Sequence, residues 1–281
     1  MTTGPPRLPN FLYIGPDKAG SSWLHEALLQ HPQIYLSPAK DLYFFDRYYD
    51  RGLAWYADQF RGAESGHSIL GEICPDYLAA VDAPARIAGD LPGVRVMVTL
   101  REPLSRALSS YLYMRKHGLG PPTFREALDS YPDLVEHGRY ATQLRRYCEH
   151  VGREHIYVGL FDDLQDDPQA FVDGVVRWLD LAPITLDEKV LAPRLPASKA
   201  RFVPAAWMAR RSAELARRWN GAALVGHVKR SPLVQRALYR PLEDRPSLSD
   251  ADAEILRERL RPEMSALETE FGVPVKERWN W

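Results

Sequence analysis

Lys18, Gly20, Ser21 and Ser22 stand within five residues of one another, in Gly15-Pro-Asp-Lys-Ala-Gly-Ser-Ser22. The apolar run Phe11-Leu-Tyr-Ile-Gly15 precedes them, and a helical pattern beginning Trp23-Leu-His-Glu-Ala follows. Strand, glycine loop and helix aim backbone N–H groups at a phosphate, and the helix dipole favours the anion. Gly20 permits close approach of the backbone, and the two serines add hydroxyl donors. The order differs from the nucleotide-triphosphatase loop, in which lysine directly follows the second glycine. The alternative reading is a surface turn with a solvated Lys18. A second group is Thr99-Leu-Arg101-Glu-Pro103-Leu-Ser-Arg106-Ala-Leu-Ser109. Arg101 ends an apolar strand, where open α/β sheets place their ligands. Pro103 suits the first position of a helix. Arg101 and Ser109 can then converge on one phosphate, a charged fork plus a hydroxyl. Otherwise Arg101 caps a carboxylate and Ser109 packs inside the helix.

Four apolar runs rich in β-branched or aromatic residues supply strands to position these groups: Phe11–Gly15, Ile69–Ile73, Val94–Leu100 and Ile156–Phe161. Each is followed by turn residues and a helical period, with helices expected at about 21–30, 82–90, 103–117, 138–151, 168–180, 204–219 and 249–271. Asp167-Pro168 and Ser249 read as helix starts. Strands alternating with helices predict an α/β fold, a central parallel sheet covered on both faces. The last hundred residues, punctuated by Pro193, Pro196, Pro204, Pro232, Pro241 and Pro246, predict a helical C-terminal region. The expected organisation is one domain over 1–281: a core at 10–180, a basic segment at 194–246, and a helix and tail at 249–281.

Composition narrows the function classes. The 281 residues are 45% hydrophobic and 26% charged, ordinary for a packed globular chain. No stretch reads as a membrane span or a signal peptide. Cys74 and Cys148 lie far apart, which argues against a disulfide scaffold or thiolate zinc site and suits a reducing cytoplasm. Eight histidines show neither HxH nor HExxH, so no metal is expected. The net charge of −1 hides an asymmetry: Arg194 to Arg240 holds eleven Lys or Arg and one acid, Glu214, a net of +10. The rest of the chain therefore carries −11. Such segregation marks an anionic ligand, surface or partner, and nucleic acid is not the expected one. Asp162-Asp-Leu-Gln-Asp-Asp167 reads as a solvated acidic turn before a capped helix.

Together the two phosphate motifs resemble the sulfotransferases that use 3′-phosphoadenosine 5′-phosphosulfate (PAPS). Lys40-Asp-Leu-Tyr-Phe-Phe-Asp46, Gly52-Leu-Ala-Trp-Tyr56, Gly71-Glu-Ile-Cys-Pro-Asp-Tyr77, Gly138-Arg-Tyr-Ala141 and Phe161-Asp-Asp-Leu164 are similar to the heparan-sulfate-type branch. The resemblance covers about residues 10–180, with an echo in the terminal helix and Trp279. It implies a P-loop-like three-layer fold and PAPS as sulfate donor, without a metal. It implies that Lys18, Ala19, Gly20, Ser21, Ser22 and Trp23 hold the 5′-phosphosulfate and that Arg101 and Ser109 hold the 3′-phosphate. By the position of the basic segment it also implies a lid, with Arg240 or Arg245 reaching the 3′-phosphate side.

The resemblance further implies a carboxylate base, Asp41, where that branch usually has Glu, with Glu72 as the second candidate or as an orienting group. Lys18 is the expected cation at the sulfate–phosphate bridge. The common Glu-Lys-Thr-Pro is Glu72-Ile73-Cys74-Pro75, so one lysine is missing. The cysteine-bridged loop of the secreted heparan enzymes is absent as well. These departures point to a cytoplasmic enzyme acting on a smaller hydroxyl acceptor, with a glycan, a secondary metabolite and, less favoured, an amine also open. Tyr43, Phe44 and Tyr77 are candidates for the acceptor pocket, though core packing suits Tyr43 and Phe44 equally. A carrier protein or membrane surface is a further candidate partner for 194–240. The competing readings are a P-loop small-molecule kinase and a non-catalytic binding protein for a nucleotide or acidic partner.

Overall fold

A computed structural model of the chain describes residues 7–192, 198–200, 239–241 and 248–281. Apolar runs with no polar face belong in the middle of a parallel sheet. Strands β1 (Phe11–Gly15) and β3 (Ile69–Ile73) are accordingly buried at every residue. With β2 (Ile34–Leu36), β4 (Arg95–Leu100) and β5 (Ile156–Leu160) they form a sheet in the order β2-β3-β1-β4-β5. Every pairing is parallel. The chain leaves β1 for the edge, returns through β3, and crosses to β4 on the other side of β1. The carboxyl end of β1 is thus the place where strand order reverses, which in open sheets is the ligand crevice.

Helix α1 (Ser21–Leu28) follows β1 directly. Its Trp23, Leu24, Ala27 and Leu28 pack with Phe171, Val172, Val175 and Val176 of the helix Pro168–Trp178 in one buried cluster. Asp167 caps that second helix through Oδ1, which accepts from the Ala170 N–H at 2.9 Å, with Pro168 at the first position as expected. Ser249 Oγ similarly accepts from the Asp252 N–H at 3.1 Å at the start of the terminal helix Asp250–Phe271. The four expected strands and the helices near 83–90, 103–116 and 140–151 are present. β2, three residues long at the edge, is the strand of this sheet that periodicity does not announce. The helix expected at 204–219 lies outside the described residues.

The chain divides into two compact units. The first, residues 1–102, 139–192 and 263–280, contains the five-stranded sheet. The second comprises 103–138, 193–262 and 281. Its core joins Leu104, Ala107 and Tyr111 to Phe124, Leu134, Leu256 and Leu260. Thr123 and Glu126 form a capping box at the helix Phe124–Ser130, satisfying two N–H groups reciprocally. The backbone of the basic segment is described only where Ser198–Ala200 pairs antiparallel with Tyr239–Pro241.

Candidate active site

The loop between β1 and α1 is built on left-handed backbone, with φ of 63° at Lys18 and 88° at Gly20. A side chain at Gly20 would place Cβ 2.5 Å from Leu164 Cδ2, so the loop lies tight against the helix Phe161–Asp166. The first helical bond of this turn runs from the Leu24 N–H to the Gly20 carbonyl, at 3.0 Å. The N–H groups of Ser21, Ser22 and Trp23 precede it and have no carbonyl one turn back within α1. No acidic side chain occupies the first turn. This is a helix start with donors and no resident anion charge. The Trp23 side chain turns away into the core, where its indole N–H donates to the Val190 carbonyl at 2.8 Å. Its contribution to an anion is therefore restricted to the backbone. Ala19 is buried.

Arg101 stands one residue beyond β4 and reaches the loop: Nη1 donates to the Lys18 carbonyl at 2.7 Å. Its guanidinium lies 4.7 Å from the centre of the Phe161 ring, and its own carbonyl accepts from Tyr140 Oη at 2.8 Å. The sheet unit thus brings Arg101 and Lys18 together, with fully buried Tyr140 fixing the arginine's backbone. Ser109 falls on the helix Pro103–Lys116 of the second unit, half-buried. Arg240 lies in the strand Tyr239–Pro241, and Arg245 lies outside the described residues.

The other half of the site is the segment after β2. Asp41 has φ 60° and Tyr43 φ 56°, and the Asp41 N–H donates to the Ile73 carbonyl at 3.0 Å. Asp41 Oδ1 is shielded from solvent and has no hydrogen-bond partner. Glu72 is saturated by comparison. Its Oε2 accepts from Tyr56 Oη at 2.7 Å, while Oε1 accepts from Tyr77 Oη at 2.9 Å and from the Leu42 N–H at 3.2 Å. Burial outweighs these bonds and pushes the Glu72 carboxyl up to about 8. Tyr77 Oη also accepts from the Phe44 N–H at 2.8 Å. Glu72 and Tyr77 together tether residues 42–44, which is the orienting alternative for Glu72.

Phe44 and Tyr77 have no exposed surface, and Phe44 stacks on Tyr56 with ring centres 4.4 Å apart. Their geometry is that of core packing rather than of a pocket wall. Tyr43 is half-buried, with the Arg47 guanidinium 4.1 Å from its ring centre. One further side chain, which the motifs do not assign, reaches the loop. Lys40 Nζ donates to Ser21 Oγ at 2.9 Å and to Ser22 Oγ at 3.1 Å. Its signal was its place directly before the candidate base.

The acidic run expected as a solvated turn instead holds the C-terminal tail. Trp279 Nε1 donates to Asp162 Oδ2 at 3.0 Å, and Arg278 pairs with Asp163 and Asp166. Among the described residues no group of His, Cys, Asp or Glu could hold a metal ion. Among them, too, no helix is long and apolar enough to cross a membrane.

Comparison with known proteins places this arrangement. Residues 47–185 match the sequence model of the sulfotransferase family. Heparan sulfate glucosamine 3-O-sulfotransferase 6 of Mus musculus is 32% identical over 65% of this chain and 55% of its own length. Heparan sulfate glucosamine 3-O-sulfotransferase 3B1 of Homo sapiens is 30% identical over 66% of this chain and 50% of its own. The chain therefore spans about half the length of these curated relatives. The crystal structure of a sulfotransferase from Alicyclobacillus acidocaldarius superposes with a TM-score of 0.61 at 25% identity, covering 82% of this chain and 99% of that one. A mouse sulfotransferase solved in complex with PAP shares the fold, with a TM-score of 0.55 at 12% identity over 97% of this chain and 89% of its own. Sequence model, curated relatives and the bacterial structure converge, and the chain belongs to the sulfotransferase family.

Proposed function

We propose that the protein transfers the sulfuryl group of PAPS to a hydroxyl of a glycan or small-molecule acceptor. The observation that carries this reading is the left-handed loop that opens α1 with no acidic side chain in the helix's first turn; the candidate base is Asp41, whose Oδ1 has no hydrogen-bond partner. It follows in sequence the lysine that holds both hydroxyls of the phosphate loop. Lys18, the Ser21 and Ser22 hydroxyls and the N–H groups at the start of α1 are assigned to the 5′-phosphosulfate. Arg101 and Ser109 are assigned to the 3′-phosphate, with Arg240 and Arg245 as further contacts.

In the transfer, the acceptor oxygen forms a bond to sulfur as the bridging sulfur–oxygen bond breaks. The acceptor's proton passes to Asp41, and the released electron pair stays on the 5′-phosphate, where Lys18 offsets the new charge. Positioning and fixed charge supply most of the rate in such a reaction, by analogy with phosphoryl transfer. Glu72, with both oxygens engaged, orients the loop that carries Asp41. Tyr43 remains the candidate wall of the acceptor pocket. The basic segment 194–240 is assigned to an anionic acceptor, carrier or surface, and the unpaired thiols of Cys74 and Cys148 suit a reducing cytoplasm.

The test is transfer of labelled sulfate from PAPS into an extract of the producing cell, followed by mass spectrometry of the labelled product. Label in a product that depends on Asp41 supports the reading. Absence of transfer, combined with tighter binding of ATP and magnesium than of 3′-phosphoadenosine 5′-phosphate, favours the kinase alternative.

A further inference from the structure

Lys40 is half-buried beside α1, and its ammonium spans the two serines that open that helix. An ammonium group has three donors and no acceptor. Ser21 Oγ and Ser22 Oγ must therefore both accept from it. A hydroxyl that accepts through its oxygen keeps its single proton for another partner. The two O–H groups are thereby set as donors, at the same helix start where the N–H groups of Ser21, Ser22 and Trp23 lack partners within α1. Without the lysine, each hydroxyl rotor is free to accept or donate, and part of that freedom is lost when an anion binds.

We propose that Lys40 is a positioning residue of the donor site, orienting the Ser21 and Ser22 hydroxyls as donors to the 5′-phosphate group of the nucleotide. This rests on the sulfotransferase reading and adds to it a residue that acts through the serines. The next residue is Asp41, held in left-handed backbone by its N–H bond to the Ile73 carbonyl. One short segment thus carries both the group that presets the donor loop and the candidate base.

The experiment compares the full-length protein with Lys40→Met, which keeps most of the length of the side chain and removes its donors. Two probes are titrated by calorimetry: 3′-phosphoadenosine 5′-phosphate, and adenosine 3′-phosphate, which lacks the 5′-phosphate. The variant should bind the first about tenfold more weakly and the second as the wild type does. The second probe also reports that the variant is folded. Introduced into a Ser21→Ala/Ser22→Ala background, Lys40→Met should have little further effect, because residues acting as one unit are non-additive.

Unchanged affinity for the first probe overturns the proposal. So does an equal loss for both probes, which makes Lys40 a prop of the fold. A full additional tenfold loss in the double-serine background also overturns it, since Lys40 would then contact the anion itself. If the wild type does not prefer the nucleotide carrying the 5′-phosphate, the sulfotransferase reading of this site fails and the proposal falls with it.

Discussion

Two carboxylates near the carboxyl end of the sheet are separated by environment. Asp41 keeps an unpartnered oxygen, whereas every Glu72 oxygen is engaged and its carboxyl is pushed up by burial. Asp41→Asn should therefore leave nucleotide affinity intact and lower transfer by roughly 10²–10⁴-fold, the usual cost of removing a general base. Glu72→Gln should retain most of the activity; the opposite ranking in a sulfate-transfer assay would reassign the base. Glu72 also makes a pH prediction. Its pKa in the folded protein is about 8, against an ordinary value of 4.5. Between those values the folded state binds a proton that the unfolded chain has released. Stability therefore falls as pH rises through that window, by at most about 1.4 kcal/mol per pH unit. The stability of the wild type relative to Glu72→Gln should decline from pH 5 to pH 8. Urea midpoints at both ends measure this, and parallel curves would contradict it. On the proposed assignment the arginine has two jobs and the serine one. Arg101→Ala should weaken nucleotides with a 3′-phosphate and, through the lost bond to the Lys18 carbonyl, also those with only a 5′-phosphate. Ser109→Ala should affect only the former, and competition binding with the two nucleotide classes separates the cases.

At the scale of elements, the join between β1 and α1 decides whether there is a site at all. Gly20 meets two independent requirements, a φ of 88° and a gap of 2.5 Å between its virtual Cβ and Leu164. The leucine tip can yield, but the backbone conformation cannot be traded away. Gly20→Ala should cost about 1–3 kcal/mol of stability from the strained backbone. It should also weaken nucleotide binding, because the N–H groups of the following turn lose their aim. Thermal melting and a nucleotide titration check both parts, and a variant melting and binding like the wild type would show that the loop tolerates another conformation.

Over the whole molecule, distant segments of sequence support the same residues. Trp279, two residues before the last in the sequence, packs edge-on to Tyr140 with ring centres 6.5 Å apart and donates to Asp162. Tyr140 in turn holds the Arg101 carbonyl. Trp279→Ala should cost about 3–5 kcal/mol, the range for truncating a buried aromatic residue. It should also reduce affinity for 3′-phosphorylated nucleotides through Arg101, read by chemical denaturation and nucleotide titration. Loss of stability with unchanged affinity would show that the tail does not reach the site. The segregation of +10 in residues 194–240 against −11 elsewhere belongs to this scale as well. Reversing Arg210 and Arg211, which lie outside the described residues, should raise the acceptor KM at low salt, an effect that fades as salt screens it. A KM indifferent to salt and to the reversal would leave that charge without a part in acceptor binding.

The strands, the glycine loop between β1 and α1 and the arginine at the end of β4 are legible because each rests on local pattern. Apolar runs, a glycine between strand and helix, and a proline at a helix start constrain their own neighbourhoods, whatever the rest of the chain does. β2 was not legible, since three residues carry no period and only pairing with β3 makes them a strand. The roles of Lys40 and Glu72 were likewise beyond sequence. Lys40 reaches the serines at the start of α1 because the segment after β2 returns toward that helix. Glu72 became a tether because folding surrounded it with Tyr56, Tyr77 and the Leu42 N–H. Burial also moved Phe44 and Tyr77 from candidate pocket wall to core. Local spacing determines what a residue can do beside its neighbours. Burial and partners distant in sequence determine the charge it carries and what it can reach, and only tertiary structure sets those.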